Sequence, residues 1–62
     1  MKNYDLYEVY DETVGEPVSG KFYDYEDAMV YLFDKYGVKE EDYYDDYAMK
    51  EIVYVRNVKW RK

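Results

Sequence analysis

The chain has 62 residues, a formal net charge of −6 and an isoelectric point near 4.4, which predicts a single small acidic domain over residues 1–62. This charge argues against direct binding to nucleic acid or to an anionic membrane. Without histidine or cysteine, the chain has no residues for a structural zinc site, a disulfide or the most common catalytic base. No apolar run approaches the roughly 18 residues of a membrane span, and no leader sequence is recognisable, so we expect a cytoplasmic protein without a cofactor.

The first predicted element is a strand over residues 4–11. Leu6 and Tyr10 fall on one side of its alternating pattern. Tyr7 and Val9 fall on the other side, so both faces carry rings or aliphatic groups. Apolar side chains on both faces are typical of a strand in the centre of a sheet.

A turn over residues 12–16 follows, in which Gly15 is free to adopt a positive φ. Residues 17–22 then predict a short second strand. Pro17 at its start and Gly20 within it both weaken strand pairing, which places this strand at an edge of the sheet.

The most regular pattern in the chain predicts a helix that begins after Asp24. Apolar and aromatic residues recur at helical spacing at six positions: Tyr25, Ala28, Met29, Leu32, Phe33 and Tyr36. Asp24 is the expected N-cap, with Asp27 as the reciprocal partner of a capping box. Gly37 supplies the left-handed position that ends the helix, after which Val38 returns onto Phe33.

Residues 39–47 have no apolar period, and five carboxylates lie between positions 40 and 46. We interpret this segment either as a solvated loop or as one short helical turn that starts near Glu40. The β-branched and aromatic run from Met49 to Trp60 predicts the longest strand. Four of its side chains are expected to share one face: Ile52, Tyr54, Val58 and Trp60.

These elements predict an α+β fold of the form β-β-α-β. A right-handed return over the sheet places the third strand beside the first, which gives a small three-stranded antiparallel sheet of order 2-1-3. One helix then packs on one face of the sheet, while the other face, with several tyrosines, is left open. An open face rich in rings suits a partner or a second copy of the chain in a homodimer.

Charge is unevenly distributed along the chain. Residues 3–49 carry a net charge of −11, whereas residues 50–62 carry +4. A rigid surface with carboxylates spaced like the phosphates of DNA would compete for the same Lys and Arg side chains, and interleaved tyrosines would add stacking contacts. The candidate partner-binding residues are Asp5, Asp11, Glu12, Glu16, Asp34, Glu40, Glu41, Asp42, Tyr43, Tyr44, Asp45, Asp46 and Tyr47.

A small, acidic, tyrosine-rich domain without histidine or cysteine resembles the phage-encoded DNA-mimic proteins that disable host DNA-binding proteins. That group includes inhibitors of uracil-DNA glycosylase, of the histone-like protein HU, of CRISPR nucleases and of restriction enzymes. The resemblance covers the whole chain in size and composition but rests on no motif, so it implies no residue roles. It implies a non-catalytic inhibitor that blocks the DNA-binding surface of a basic protein in the bacterial cytoplasm, with a nucleoid protein such as HU as the leading partner.

Other function classes fit the sequence less well. For catalysis, the only serine, Ser19, has no base to activate it, so we expect no enzyme. For metal binding, residues 40–46 lack the ligand spacing of an EF-hand loop, so we expect no metal site. For direct nucleic-acid binding, the basic residues after position 55 are opposed by the acidic remainder of the chain.

The main alternative is a small protein interaction module. Such a module would use a tyrosine-rich sheet face or an open strand edge, and its acidity would serve solubility. Salt distinguishes the two hypotheses, because binding driven by charge weakens as ionic strength rises and packing between rings does not.

Overall fold

The structure, a computed structural model, describes the backbone of residues 3–61 and the side chains of residues 5–59. In chain order its elements are β1 (Asn3–Asp11), β2 (Glu16–Pro17), α1 (Tyr25–Tyr36), α2 (Glu40–Asp45), α3 (Tyr47–Ile52) and β3 (Val53–Arg61). None of these helices is both long enough and apolar enough to cross a membrane.

The predicted α+β fold and its sheet order are confirmed. The three strands lie in the order β2-β1-β3, and both pairs are antiparallel. β1 and β3 pair along nine residues, from Asn3 opposite Arg61 to Asp11 opposite Val53. This long ladder is the scaffold on which the helices pack.

The second strand is shorter than the predicted span of residues 17–22. Only β2 pairs continuously with β1, and the chain meets β1 again where Tyr7 and Phe22 exchange two backbone hydrogen bonds of 2.8 Å. Between these points the Ser19 hydroxyl accepts a hydrogen bond of 2.9 Å from the Val9 amide. A side chain therefore takes the place of a backbone carbonyl, so the only serine of the chain has a structural role here.

Helix α1 has the predicted limits and the predicted C-terminal motif. Gly37 lies in the left-handed region at φ 62°, and its amide and that of Val38 both donate to the Phe33 carbonyl. The predicted capping box is wrong, because the Asp24 side chain accepts no hydrogen bond from the first turn. Asp24 is exposed, so water is able to solvate the free amides of that turn.

The prediction of a single helix is wrong, since α2 and α3 follow α1. The predicted strand from Met49 begins instead at Val53, and the residues before it form α3. β1 ends at Asp11, opposite Val53, so earlier residues have no strand beside them to pair with. The Asp46 carboxylate caps α3 by accepting a hydrogen bond of 3.0 Å from the Met49 amide.

All three helices lie on the same side of the sheet. The buried core cluster consists of Val9 and Val53 from the sheet, Met29 and Leu32 from α1, and Tyr43 from α2. Met49 of α3 packs against this cluster. The expected covering of one sheet face is therefore observed, although three helices provide it.

The opposite sheet face is formed by two sets of three side chains in register: Leu6, Glu8 and Tyr10 of β1 against Val58, Arg56 and Tyr54 of β3. Ile52 was predicted to share this face but belongs to α3. Tyr4 pairs with Trp60 in the backbone ladder, and their side chains lie outside the described residues. Among the described residues, no helix covers this face.

The left-handed conformation at the end of α1 predicts a difference between two glycines. Gly37→Ala should lower the free energy of unfolding by about 1 kcal/mol, because a Cβ is strained at positive φ. Gly20→Ala is the matched control, since no atom lies within 4 Å of its added Cβ and its φ is not in the left-handed range. Urea unfolding checks this, and equal stability of the two variants would contradict it.

Candidate functional site

The described ion pairs all lie on the sheet. Glu8 Oε1 is 2.6 Å from Lys21 Nζ, and Glu8 Oε2 is 2.5 Å from Arg56 Nε. Asp5 Oδ1 is 2.6 Å from Lys59 Nζ. Three cations of this acidic chain are therefore engaged with two carboxylates of β1, away from the acidic helices.

Glu8 is the most buried of the charged side chains described, with 1% of its surface exposed. Burial raises the pKa of its carboxyl, but hydrogen bonds and charge from Lys21 and Arg56 outweigh this and hold the pKa below its ordinary value. Arg56 also lies over the Tyr10 ring, 4.1 Å from its centroid. Glu8 thus connects the two edges of the sheet, a role that sequence analysis missed.

Asp11 was expected at the partner-binding surface, but its carboxylate is buried in the fold. Oδ1 accepts hydrogen bonds from the amide and the hydroxyl of Thr13, and Oδ2 accepts one of 2.7 Å from the Tyr36 hydroxyl. These bonds hold the pKa of Asp11 below its ordinary value. Burial and the bond to Asp11 raise the pKa of Tyr36 to about 12. Asp11 joins the first turn to α1 and is not part of the exposed acidic surface.

The acidic run of residues 40–46 forms α2 and its C-terminal cap. Five carboxylates here are exposed and have no ion pair among the described side chains: Glu40, Glu41, Asp42, Asp45 and Asp46. Of the two interpretations left open by the sequence, the helical one is correct, since α2 is a helix of six residues that starts at Glu40. In the described part of the chain, no group of three acidic residues is arranged to hold a metal ion.

Tyr43 attaches α2 to the core and is not available as a surface contact. Its side chain is 4% exposed, and its hydroxyl donates a hydrogen bond of 2.7 Å to the Val53 carbonyl. Its ring lies edge-on to Phe33, with centroids 5.6 Å apart. Burial raises the pKa of this phenol above its ordinary value. The neighbouring Tyr44 and Tyr47 are exposed, as their predicted role requires.

The other predicted site residues are divided between two regions. Asp34 is exposed on α1 and lies beside Lys39 at the start of α2. Glu16 is exposed on β2, and Glu12 accepts a hydrogen bond of 3.2 Å from the Tyr54 hydroxyl. Asp34 thus shares a surface depression with Lys39, the residue before α2, whereas Asp5, Glu12 and Glu16 belong to the sheet and its turn.

A surface depression between α1 and α2 adds two residues that sequence analysis did not select. Glu26 and Val30 line it together with Glu40 and Tyr44. Burial and the nearby Tyr25 and Glu40 raise the pKa of Tyr44 above its ordinary value. Val30 had a recognisable signal, since it is an apolar helix residue outside the buried stripe, and 63% of its surface is exposed.

Comparisons of the chain with protein-family models, with curated proteins and with solved structures found no significant match.

The attachment of α2 predicts different results for two substitutions of Tyr43. Tyr43→Phe should lower the free energy of unfolding by about 1 kcal/mol, because the Val53 carbonyl loses its donor. Tyr43→Ala should lower it by about 3–5 kcal/mol and increase amide hydrogen exchange throughout α2. Tyr47→Phe, which removes an exposed hydroxyl, is the control. Unchanged exchange in α2 after Tyr43→Ala would show that another contact orders this helix.

The buried ion pairs predict a pH-dependent effect of Glu8→Gln. At neutral pH the free energy of unfolding of the variant should be about 1–2 kcal/mol lower than that of the wild type. This value allows for the partial exposure of both cations. Because the pKa of Glu8 is lowered in the folded state, its contribution is present above the ordinary pKa and is lost as the pH falls through the folded-state pKa. The free energies of unfolding of the wild type and the variant, measured in urea, should therefore become equal in acid.

Glu51→Gln is the control for this experiment, because Glu51 is exposed and makes no ion pair among the described side chains. A stability difference between wild type and Glu8→Gln that persists at low pH would assign the effect to packing.

Proposed function

We propose that this protein is a non-catalytic acidic DNA mimic. It binds the DNA-binding surface of a basic bacterial protein and blocks access of DNA to that surface. A nucleoid protein such as HU is the partner class we favour, since HU binds DNA through basic residues that carboxylates would neutralise. The observation that carries the proposal is that the densest group of unpaired carboxylates lies on an ordered helix anchored in the core.

Charge density supports this proposal. At a helical rise of 1.5 Å per residue, positions 40–46 extend over about 10 Å, so their five carboxylates give roughly one charge per 2 Å. B-DNA presents one phosphate charge per roughly 1.7 Å of its axis. Lys and Arg side chains of a basic partner would neutralise such a surface much as they neutralise DNA, with release of the cations held near the carboxylates.

Order in the acidic segment supports it further. A flexible acidic loop would lose part of its binding free energy to the entropy of becoming ordered. The core position of Tyr43 holds the middle of the segment, and the Asp46 cap holds its C-terminal end, before any partner arrives. The carboxylates are therefore preorganised.

The ion pairs of the sheet also support it. Lys21, Arg56 and Lys59 are engaged in these pairs, so they do not neutralise the carboxylates of α2. The nearby Lys50 donates to the Tyr44 carbonyl and forms no described ion pair with a carboxylate. Self-repulsion among unpaired charges destabilises a small domain. A basic partner would relieve this repulsion, which contributes a driving force for binding.

The test is competition on purified HU. The protein should release labelled duplex DNA from HU. Its apparent affinity for HU should fall steeply as the NaCl concentration rises. Other basic DNA-binding proteins are tested in the same way if HU does not respond. Failure to compete with DNA on any basic protein that it binds would refute mimicry.

A triple variant assigns the surface. Changing Asp42, Asp45 and Asp46 together to Asn should weaken competition by about tenfold or more while the fold is retained, since Asn also caps helices well. A second triple variant is matched in charge and lies outside the proposed surface: Asp24→Asn, Asp27→Asn and Glu51→Gln. Equal loss in both variants would mean that net charge, and not the α2 surface, determines binding.

The outer edge of β3 favours one alternative. β3 has nine residues and is the last strand of the described sheet, so its outer edge is available for an added strand of a partner. Binding of that kind would be insensitive to salt and to DNA. The same competition experiment therefore distinguishes an interaction module from a mimic.

A further inference from the structure

The depression between α1 and α2 combines an apolar floor with an acidic rim. Tyr25, Val30, Phe33 and Tyr44 provide the apolar surface, and the depression measures about 400 Å³. Tyr25, Val30 and Tyr44 each expose more than a third of their surface. Exposed apolar residues are ordinary when they are scattered, but a contiguous group in a concave site is typical of a binding site.

This apolar surface continues along α1. Val30 and Phe33 also line a second depression, which extends to Gly37 and Val38 at the helix end. From Tyr25 to Gly37 the helix rises by about 18 Å. The combined groove is therefore long enough to receive an extended or helical segment and not only a single side chain.

The charges around the groove define the chemistry of its occupant. Glu26 and Glu40 lie at its α1 and α2 sides, and Asp34 lies at the second depression. All three carboxylates are exposed and have no ion pair among the described side chains. Lys39 is the only cation among the residues that line the two depressions. The groove is thus complementary to a segment that is both apolar and basic.

We infer that this groove receives a basic segment of the partner protein that inserts an apolar side chain between flanking Lys or Arg residues. The inference rests on the proposed function and specifies how the same partner is recognised. The carboxylates of α2 attract the partner at long range, and the groove adds apolar burial that does not depend on salt. This second contact selects among basic proteins, which charge alone does not do.

Two synthetic peptides test the inference directly. Both are short alternating Lys–Arg sequences, one with Leu and one with Ser at the central position. The Leu peptide should bind about tenfold more tightly, because the groove removes the Leu side chain from water and gains nothing comparable from Ser. The ratio of the two affinities should persist as NaCl concentration rises, and NMR amide shifts should mark residues of the groove.

Variants of the groove provide the second measurement. Tyr44→Ala should abolish the preference for Leu, whereas Tyr23→Ala, which removes an exposed ring outside the groove, should preserve it. Val30→Thr keeps the side-chain shape at an exposed helix position and should reduce the preference without affecting folding. It keeps the test valid if Tyr44→Ala alters the packing of α2.

Equal affinities of the two peptides, or amide shifts outside the groove, would overturn the inference. Amide shifts of groove residues that change with protein concentration in the absence of peptide would show that a second copy of the chain occupies the groove. That result would also overturn the inference. The proposed function has a separate readout, since competition between HU and DNA does not use these peptides. If the protein competes with DNA on HU but binds both peptides equally, the inference about the groove is rejected and the proposed function is retained.

Discussion

The hydrogen bond from Tyr43 to the Val53 carbonyl is the contact on which the acidic half of the molecule depends. It joins the middle of α2 to the first residue of β3, where the β1–β3 ladder also ends. Around it the Tyr43 ring packs with Phe33 and fills the core beside Leu32. An acidic segment of this composition would otherwise have little reason to be ordered, because carboxylates repel each other and contribute no burial.

The most buried ion pairs lie on the sheet face that no described helix covers, where Glu8 is held between Lys21 and Arg56. The Asp5–Lys59 pair lies on the other face, on the same side of the sheet as Val9. The helices carry exposed carboxylates without described ion pairs, together with three lysines: Lys35, Lys39 and Lys50. Salt bridges therefore contribute to joining the strands, and the proposed mimicry of DNA would use the carboxylates that stay unpaired on the helices.

The proposed complex would combine two kinds of contact on the helical side. The α2 carboxylates would provide a long-range, salt-sensitive attraction, and the groove beside Val30 and Tyr44 would provide a short-range apolar contact. Charge increases the rate of encounter with any basic partner, whereas shape and apolar burial determine which complexes persist. A protein that recognises one basic partner among many needs both contributions, and in this molecule they lie next to each other.

The sequence by itself determined the elements whose signals are local. The stripe of α1, the left-handed Gly37 and the central position of β1 follow from periodicity and backbone sterics, and the acidic surface follows from composition. Only the tertiary structure decided which acidic-segment residues are buried. Tyr43 and Tyr44 are adjacent and chemically identical, yet Tyr43 is in the core and Tyr44 is on the surface. In a short helix without an apolar period, the sequence does not indicate which ring faces the core. Likewise, the predicted strand included Met49 to Ile52, but these residues belong to α3. A strand needs a partner to pair with, and β1 ends opposite Val53, so this limit depends on residues distant in sequence.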